Sequence, residues 1–514
     1  EGADELELGE AVVRRVNGSE QAVRGRRALR DIDAGPTPDA LDRLVDAELD
    51  AGTMALALGG AVWTHLGSPS RHPAARTPTV GELYGGPVRR DGPSVAPSAP
   101  RWARHSNGKM RAMTPAAIDS DAMPPTELAH ELMPEVADAA VSAADQEVVD
   151  RAAVWARSAV APHAESWERE RRFAAEAFQS AAEEQLCGLL VPVADGGSGL
   201  SQVGLARVLE EVAAADFAIA FVLVCHNNLA GAVSRRAPAD MRQRALGPLV
   251  SGKRLGAFLL TEPGVGSDAA KIITSARKDG DEWVIDGRKA WVSNGTAADV
   301  MSVYAQADPA AGHRGIMTFL IDGSTDGVER TDGYELIGAH GIGTNEIRFD
   351  ECRVSDADVM VPLGEGFVAA MEGIDIARVL VAAMCCGMMR TGLATAIDYV
   401  RKRQAFGGRI ADLQGVRFKL ADVATDLEAA RLLAYRAALA VAEGRPAAVH
   451  AAHAKKFATR VAERGLADCM QVMGAVGGRR DHPLPRHLAA SRLTHYVDGA
   501  TEIQDVVISR ALLD

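Results

Sequence analysis

Near the carboxy terminus, Asp498 and Gly499 lie in the run Tyr496-Val497-Asp498-Gly499-Ala500-Thr501-Glu502-Ile503-Gln504. A carboxylate on such a loop can act as a general base once burial lifts its pKa towards neutrality, although Asp-Gly is also a common turn pair. Far upstream, Thr261-Glu262-Pro263-Gly264-Val265-Gly266-Ser267-Asp268 follows an apolar run, Leu255–Leu260. Exposed amides and hydroxyls on a turn of this kind can hold a pyrophosphate or the edge of a flat ring. A glycine-rich turn after a strand is most often only a turn, and no βαβ unit follows it, so a nicotinamide-dinucleotide fingerprint is not indicated. The segment Lys289-Ala290-Trp291-Val292-Ser293-Asn294-Gly295 adds an indole that can cover a flat cofactor or fill a core, with a hydroxyl beside it. Arg403-Gln404-Ala405-Phe406-Gly407 places a guanidinium and an aromatic ring at the end of a long helical run. Taken alone, Arg403 reads as a solvated charge.

The elements that must position these residues fall into blocks. Residues 1–122 include Gly85-Gly86-Pro87, Gly92-Pro93-Ser94 and Pro97-Ser98-Ala99-Pro100. This density of Pro, Gly and Ser from Gly67 onwards predicts a largely disordered extension, despite helical patterning over Pro38–Leu66. It reads either as an appended arm or as a stretch preceding a start near Met113 or Met123. Residues 123–250 read as a helical domain, with helices at Ala144–Val154, Phe173–Gln185, Gln202–Ala215, Ala218–Ala232 and Ala239–Leu246, and a turn at Asp195–Gly199. Residues 251–360 switch to short strands at Leu255–Leu260, Glu282–Asp286, Val300–Ala305, Gly315–Ile321 and Asn345–Phe349, and Asp286-Gly287 is expected to be a tight turn between strands. Residues 361–514 return to helices: Gly366–Arg390 extending towards Gln404, Leu413–Glu443, Ala447–Met473 and Thr501–Leu513, with a connection at Gly474–Pro485. The fold class expected is therefore α+β: a helical domain, a central antiparallel β-barrel and a carboxy-terminal helical bundle.

Composition narrows the function classes. The chain has 514 residues and a net charge of −13, which argues against nonspecific nucleic-acid binding. Its six cysteines show no CxxC pair, so neither a disulfide framework nor a zinc site is expected. Cys385-Cys386 reads as a pair of small buried residues. The apolar stretches Phe217–Cys225 and Val379–Met389 fall short of a membrane span. No secretory pattern is present, and a cytoplasmic protein is expected. The histidines around His482 and His487 lack metal-ligand spacing, so no metal is expected. His226 reads as a satisfied helix histidine, with lining of an acyl pocket as the other possibility.

In their order and spacing, the Thr261 turn, the Trp291 segment, the Arg403-x-x-Phe406-Gly407 run and the Asp498 loop resemble the acyl-CoA dehydrogenase family over about residues 140–514. The resemblance implies FAD as cofactor. Phe258, Leu260, Thr261, Gly266 and Ser267 would line the isoalloxazine and pyrophosphate, with Trp291 and Ser293 against the ring. Arg403 and Phe406 would reach the FAD of a neighbouring subunit, and Gln414, Gln471, Gly474 and Ala475 would contact its adenosine half. Glu502 would lie near FAD. The active unit would then be at least a dimer, by default a homotetramer. The substrate implied is an acyl thioester, carried by coenzyme A or by an acyl-carrier protein, with an electron-transferring flavoprotein as acceptor.

In that family a glutamate before the loop glycine removes the α-proton while the β-hydride goes to flavin N5. Asp498 stands there in this chain. Some branches place the base on an earlier helix, immediately before a recurrent arginine. Here the residue before Arg378 is Ala377, which leaves Asp498 as the candidate base. Asp375, Arg378 and Gly499 would sit near the substrate, and the Asp498 backbone N–H would donate to the thioester oxygen. Aspartate is one methylene shorter than glutamate, by roughly 1.3–1.5 Å. Ala475 stands where a glycine is usual, and Ala500 and Glu502 stand where a threonine and an amide are frequent. A flavin monooxygenase on the same scaffold, or a non-catalytic flavoprotein whose 1–122 arm recruits a partner, are the other readings of the same residues.

Overall fold

The computed structural model describes residues 141–513. The extension expected at 1–122 and the helical onset near Pro124 lie outside the described residues.

Helices open the described chain: α1 (Ala143–Trp155), α2 (Ala164–Glu170), α3 (Ala175–Glu183), α4 (Gln202–Ala215), α5 (Phe217–Arg236) and α6 (Ala239–Val250). Capping side chains set the starts of α1, α4 and α5. Ser142, Ser201 and Asp216 accept hydrogen bonds from the amides of Asp145, Gly204 and Ile219, so each helix begins where an orphan donor finds an oxygen. Asp216 thereby ends α4 and starts α5. Helix α5 runs from Phe217 to Arg236, past the expected end at Ala232, and carries polar Asn227 inside it. That amide is buried and satisfied, accepting from Leu189 N at 2.7 Å and donating to the Leu186 and Leu223 carbonyls. The full helix is long and apolar enough to cross a membrane, which corrects the expectation that no segment would be. Most of it is buried within the protein, as a core helix is.

The middle of the chain forms an eight-stranded sheet of order β6-β7-β3-β2-β4-β5-β8, with β1 paired to β4. The strands are β1 (Gly256–Leu259), β2 (Ser275–Asp279), β3 (Glu282–Val292), β4 (Val300–Gln306), β5 (Ile316–Asp322), β6 (Val328–Arg330), β7 (Asn345–Ser355) and β8 (Val359–Val361). Most pairs are antiparallel, but β1 and β2 both meet β4 in parallel, a departure from the wholly antiparallel expectation. The turn expected at Asp286-Gly287 is not a turn. Those residues lie inside β3, where the register with β7 shifts between Ile285 and Gly287. Gly287 has φ 149°, and a side chain there would meet Thr274 Oγ1 at 2.5 Å, so the glycine serves a close backbone approach at a bulge. The hairpin turn is Gly280-Asp281, between Asp279 and Glu282.

A helical bundle closes the chain: α7 (Gly366–Lys402), α8 (Gln414–Ala442), α9 (Ala448–Val472), α10 (Leu484–Thr494) and α11 (Thr501–Leu513). A two-strand hairpin, β9 (Gln404–Ala405) with β10 (Gly408–Arg409), follows α7. Helix α10 was not anticipated, because the histidine- and proline-containing stretch before it carries no apolar period. Pro485 is in its first turn, where the missing amide hydrogen costs nothing.

One core joins α4 and α5 to α7, α8 and α9, with Cys385 and Cys386 fully buried in it. Ion pairs join the helices across this core. Arg390 grips Glu211 through two hydrogen bonds of 2.7 Å, and Glu210 takes Arg431 and the Tyr435 hydroxyl. These contacts tie α4 to α7 and α8. They fix the helices whose outer ends carry the site.

Candidate active site

A solvent-open cleft of about 760 Å³ lies between α5, α7 and the sheet. Phe221, Val224, Cys225 and Asn228 line it from α5, Phe258, Ser302 and Tyr304 from the strands, and Glu372, Ile376 and Ala377 from α7. Asp498 enters its wall from the loop between α10 and α11.

That loop is bent by two successive left-handed residues, Asp498 with φ 51° and Gly499 with φ 90°. Aspartate tolerates this region better than most side chains. The bend is held through its carbonyls. Arg378 Nε donates to the Asp498 carbonyl at 3.0 Å, while its Nη1 holds Asp375 Oδ1 at 2.8 Å. Lys455, buried on α9, donates to the Gly499 carbonyl at 2.6 Å, and the Gln504 amide donates to the same oxygen at 2.9 Å. Two cations thus fix the backbone and leave the carboxylate free. Asp498 Oδ2 is buried with no hydrogen-bond partner among the described residues.

Burial pushes the Asp498 carboxyl up to about 6, against the opposing pull of Lys455 and Arg378. Burial likewise lowers Lys455 to about 8, with Asp498 the chief group opposing that shift. The arrangement is a desolvated carboxylate that ionises just below neutrality, the property required of a base at physiological pH. Of the carboxylates lining the cleft, Glu372 is ion-paired with Arg236, so only Asp498 is unpaired.

The second half of the site is the end of β1 and the end of β3. The Ala290 amide donates to the Thr261 carbonyl at 2.9 Å and joins them. Beneath the turn, Glu262 accepts from the Ile273 and Thr274 amides at 2.7 and 2.9 Å, and takes Lys289 Nζ at 2.8 Å. Lys289 also donates to the Leu260 carbonyl at 3.0 Å, and both members of this pair are buried. Above it, Trp291 is 59% exposed, adopts φ 58°, and rests against Tyr334 with ring centroids 4.7 Å apart. A large apolar ring held outward by strained backbone and an aromatic backing is a surface built for another flat group. Side chains at Gly264 and Gly266 would meet nothing within 4 Å, so the turn is open to a ligand. The Phe258 ring packs tilted against Tyr304 with centroids 4.9 Å apart, and Leu260 is buried beneath the strand end. Ser267 lies exposed in the turn and Ser293 at the end of β3. The Ser293 hydroxyl meets the Cys225 thiol, which in turn feels the Asp498 charge, so the two halves face one cleft.

The remaining expected residues lie elsewhere on the chain's surface. Arg403 follows α7, Phe406 is 92% exposed on the β9–β10 hairpin with φ 54°, and Gln414 starts α8. Gln471, Gly474 and Ala475 are exposed around the end of α9, and Glu502 is exposed in the first turn of α11. No hydrogen bond among the described residues joins any of them to the Thr261 turn. His226 does not line the cleft. Its Nδ1 accepts from the Gly256 amide at 3.1 Å and its Nε2 lies 3.1 Å from the Cys187 and Leu249 carbonyls, the pattern of a neutral core histidine. Burial lowers its pKa to about 4. Among the described residues no cluster of metal-ligating side chains occurs.

Sequence reasoning missed Lys455, Lys289, Glu262 and Tyr334. Lys455 carried a readable signal, a lysine on the helix face of Ala451, Ala458 and Ala462, all buried. Lys289 carried none, because a lysine in a strand reads as a solvated charge, whereas here it is fully buried against Glu262.

Replacing Gly499 by alanine is expected to destabilise the loop by about 1–2 kcal/mol, because φ 90° disfavours any side chain. The new Cβ would also lie 3.2 Å from Arg378 Nη2 and 3.3 Å from Gln504 Nε2, the groups that hold the bend. A thermal melt and a turnover assay together check this, with activity falling on the order of 100-fold if Asp498 moves by about 1 Å.

The chain matches known proteins over this same region. The family models described as acyl-CoA dehydrogenase N-terminal, middle and C-terminal domains match residues 142–253, 257–352 and 364–513. An acyl-CoA dehydrogenase of Bacillus subtilis is 33% identical over 70% of this chain and 95% of its own length. The solved butyryl-CoA dehydrogenase of Megasphaera elsdenii is 31% identical with a TM-score of 0.71, covering 73% of this chain and 99% of its own. The prolyl acyl carrier protein oxidase AnaB is 25% identical with a TM-score of 0.70, over 73% of this chain and 100% of its own.

Proposed function

Because this chain belongs to the acyl-CoA dehydrogenase family, we propose that it desaturates an acyl thioester between Cα and Cβ, with Asp498 as the base that takes the α-proton. The observation that carries this is the buried, unpartnered Asp498 Oδ2 in the wall of the cleft, on a loop whose backbone alone is held by cations.

FAD is the family's cofactor, and the residues present fit it. Trp291 with Tyr334 offers a ring-sized apolar surface, and the open turn at Gly264 and Gly266 offers amides to an anion. Thr261, Ser267 and Ser293 add hydroxyls beside them. When bound, FAD supplies the two-electron acceptor for the β-hydrogen. The chain's own part is to place the thioester between Asp498 and the Trp291 side, and to hold the carboxylate ionised and dry. The Asp498 amide can stabilise negative charge developing on the thioester oxygen. Closing the cleft to water strengthens each of these interactions.

Phe406 and Arg403, with Gln414, Gln471, Gly474, Ala475 and Glu502, are exposed polar and aromatic groups at the surface. They are assigned to FAD across a subunit boundary, which makes the working unit at least a dimer and by family habit a tetramer. Exposed Phe418, Leu432 and Leu439 on α8 and Val506, Leu512 and Leu513 on α11 provide apolar surface for that assembly. An electron-transferring flavoprotein is the acceptor this reading implies. The carrier is coenzyme A or an acyl-carrier protein.

The test is an anaerobic titration of the FAD-loaded protein with a panel of acyl-CoA and acyl-carrier-protein thioesters, watching the visible flavin band. Bleaching by one class, with formation of the α,β-unsaturated thioester, supports the reading. FAD binding without bleaching by any thioester removes it in favour of a monooxygenase or a non-catalytic flavoprotein.

Its pH dependence follows from the site. Asp498 works only when ionised, and burial has raised it to about 6. Log kcat/KM is therefore expected to climb with unit slope below about pH 6 and to level above it. A profile that stays flat between pH 5 and 7 contradicts the assignment.

A further inference from the structure

Lys455 is 1% exposed, on the side of α9 that also buries Ala451, Ala458 and Ala462. A methionine would fill that space with no charge to desolvate, and a buried ammonium is stable only where something opposite faces it. Among the described residues its hydrogen bond goes to the Gly499 carbonyl at 2.6 Å, while Asp498 and Glu502 act on it only through space. The other groups around it are Arg378 and Cys385 from α7 and His495 from the end of α10. Arg378 is matched by Asp375 at 2.8 Å. Burial lowers the His495 pKa, so that imidazole is neutral at pH 7, and burial keeps the Cys385 thiol protonated by pushing it up to about 12. Glu502 is exposed, so water screens it. Two buried charges are left to face each other across the bend, the Lys455 ammonium and the Asp498 carboxylate.

We propose that Lys455 is the positioning residue of the base: it holds the Asp498 loop by the Gly499 carbonyl and supplies the counter-charge that the carboxylate faces across the bend. Asp498 and Gly499 are consecutive left-handed residues, so the carbonyl that is held and the carboxylate that is used belong to one turn. Lys455 does not line the cleft, and it therefore acts through Asp498 and not on the ligand. Its charge is present when it is needed. Asp498 titrates at about 6, whereas burial lowers Lys455 only to about 8, so the ammonium is still protonated while the carboxyl ionises. An opposite charge favours the carboxylate, and removing it must raise the pH at which Asp498 ionises.

This assignment rests on reading Asp498 as the base, and its test follows ionisation, which needs no turnover. The infrared carboxyl band of the FAD-loaded full chain is titrated with pH, and the Asp498 component is the part missing from Asp498→Asn. Wild type should give a midpoint of about 6. Lys455→Met should raise it by about one pH unit or more, the effect of losing a nearby opposite charge. Gln504→Leu removes another donor to the same carbonyl without removing a charge, and should move the midpoint by less than about 0.3. Linkage gives a second route that uses no Lys455 variant. Asp498→Asn should lower the Lys455 pKa below about 8 by the same amount, read by trace acetylation with acetic anhydride across pH and peptide mass spectrometry. An unmoved Asp498 midpoint in Lys455→Met, a shift no larger than that of Gln504→Leu, or an unmoved Lys455 in Asp498→Asn would overturn the proposal. Failure of every thioester to bleach the flavin would strike the dehydrogenase reading and leave these ionisations as they are.

Discussion

Asp498→Asn is expected to lower the rate of flavin bleaching by an acyl thioester by about 10³–10⁴-fold while FAD remains bound. An amide has the shape of the carboxylate and cannot take a proton, so the loss measures general-base catalysis. Nothing else lining the cleft is placed to compensate, since Glu372 is tied to Arg236 and Ala377 has no side-chain acid. The same variant should be more stable than wild type at neutral pH. Burial raises the Asp498 pKa to about 6 from an ordinary value near 3.8, so the folded state holds that proton more tightly than the unfolded chain does. Ionising it costs the fold stability, a cost that develops as pH rises from about 4 to about 6 and is full above that, on the order of 3 kcal/mol. The variant's gain in Tm should therefore be present at pH 7 and fade by pH 4. Equal Tm values at pH 7 would mean that the carboxylate is not desolvated.

Lys289→Met is expected to be the most damaging single change in the sheet, by about 3–5 kcal/mol. Among the described residues it removes the one cation bound to Glu262, leaving a buried carboxylate with two backbone amides as its remaining partners. The damage reaches function through geometry. Glu262 and the Leu260 carbonyl, both held by Lys289 Nζ, flank Thr261 at the edge of the flavin turn. Denaturant unfolding should show the loss of stability, and FAD should dissociate at lower urea than from wild type. The double variant Glu262→Gln, Lys289→Met should recover much of the loss, because the unpaired charge is then gone. No recovery would show that Lys289 matters through packing instead.

Periodicity made the helices legible. Gln202–Ala215 and Thr501–Leu513 are bounded in the structure as the apolar spacing and capping residues indicate. Strand ends were harder. Glu282–Asp286 runs on to Val292, because a β-bulge at Gly287 lets the strand continue through what reads as a turn pair. The expected helix Ala218–Ala232 runs on to Arg236, and it passes through polar Asn227 because that amide is satisfied by Leu186 and Leu189, about forty residues away. The base was legible because a carboxylate in a loop with fixed spacing to Gln504 has a chemical signature. What raises its pKa was not. That is burial in the assembled cleft, which outweighs the opposing pull of Lys455 and Arg378, whose hydrogen bonds go to the Gly499 and Asp498 carbonyls. Likewise, Trp291 reads equally as core or as cofactor platform until its exposure and the Tyr334 ring behind it are seen.

Asp498 as the α-proton base is tested most directly by deuterium washout. An acyl thioester labelled with deuterium at Cα is incubated with the FAD-loaded protein under anaerobic conditions, and loss of label to water is followed by mass spectrometry. Wild type should release the label at a rate that rises with pH through about 6, and Asp498→Asn should release it about 10³-fold or more slowly. Washout that survives in Asp498→Asn at the wild-type rate would contradict the assignment and place the base elsewhere.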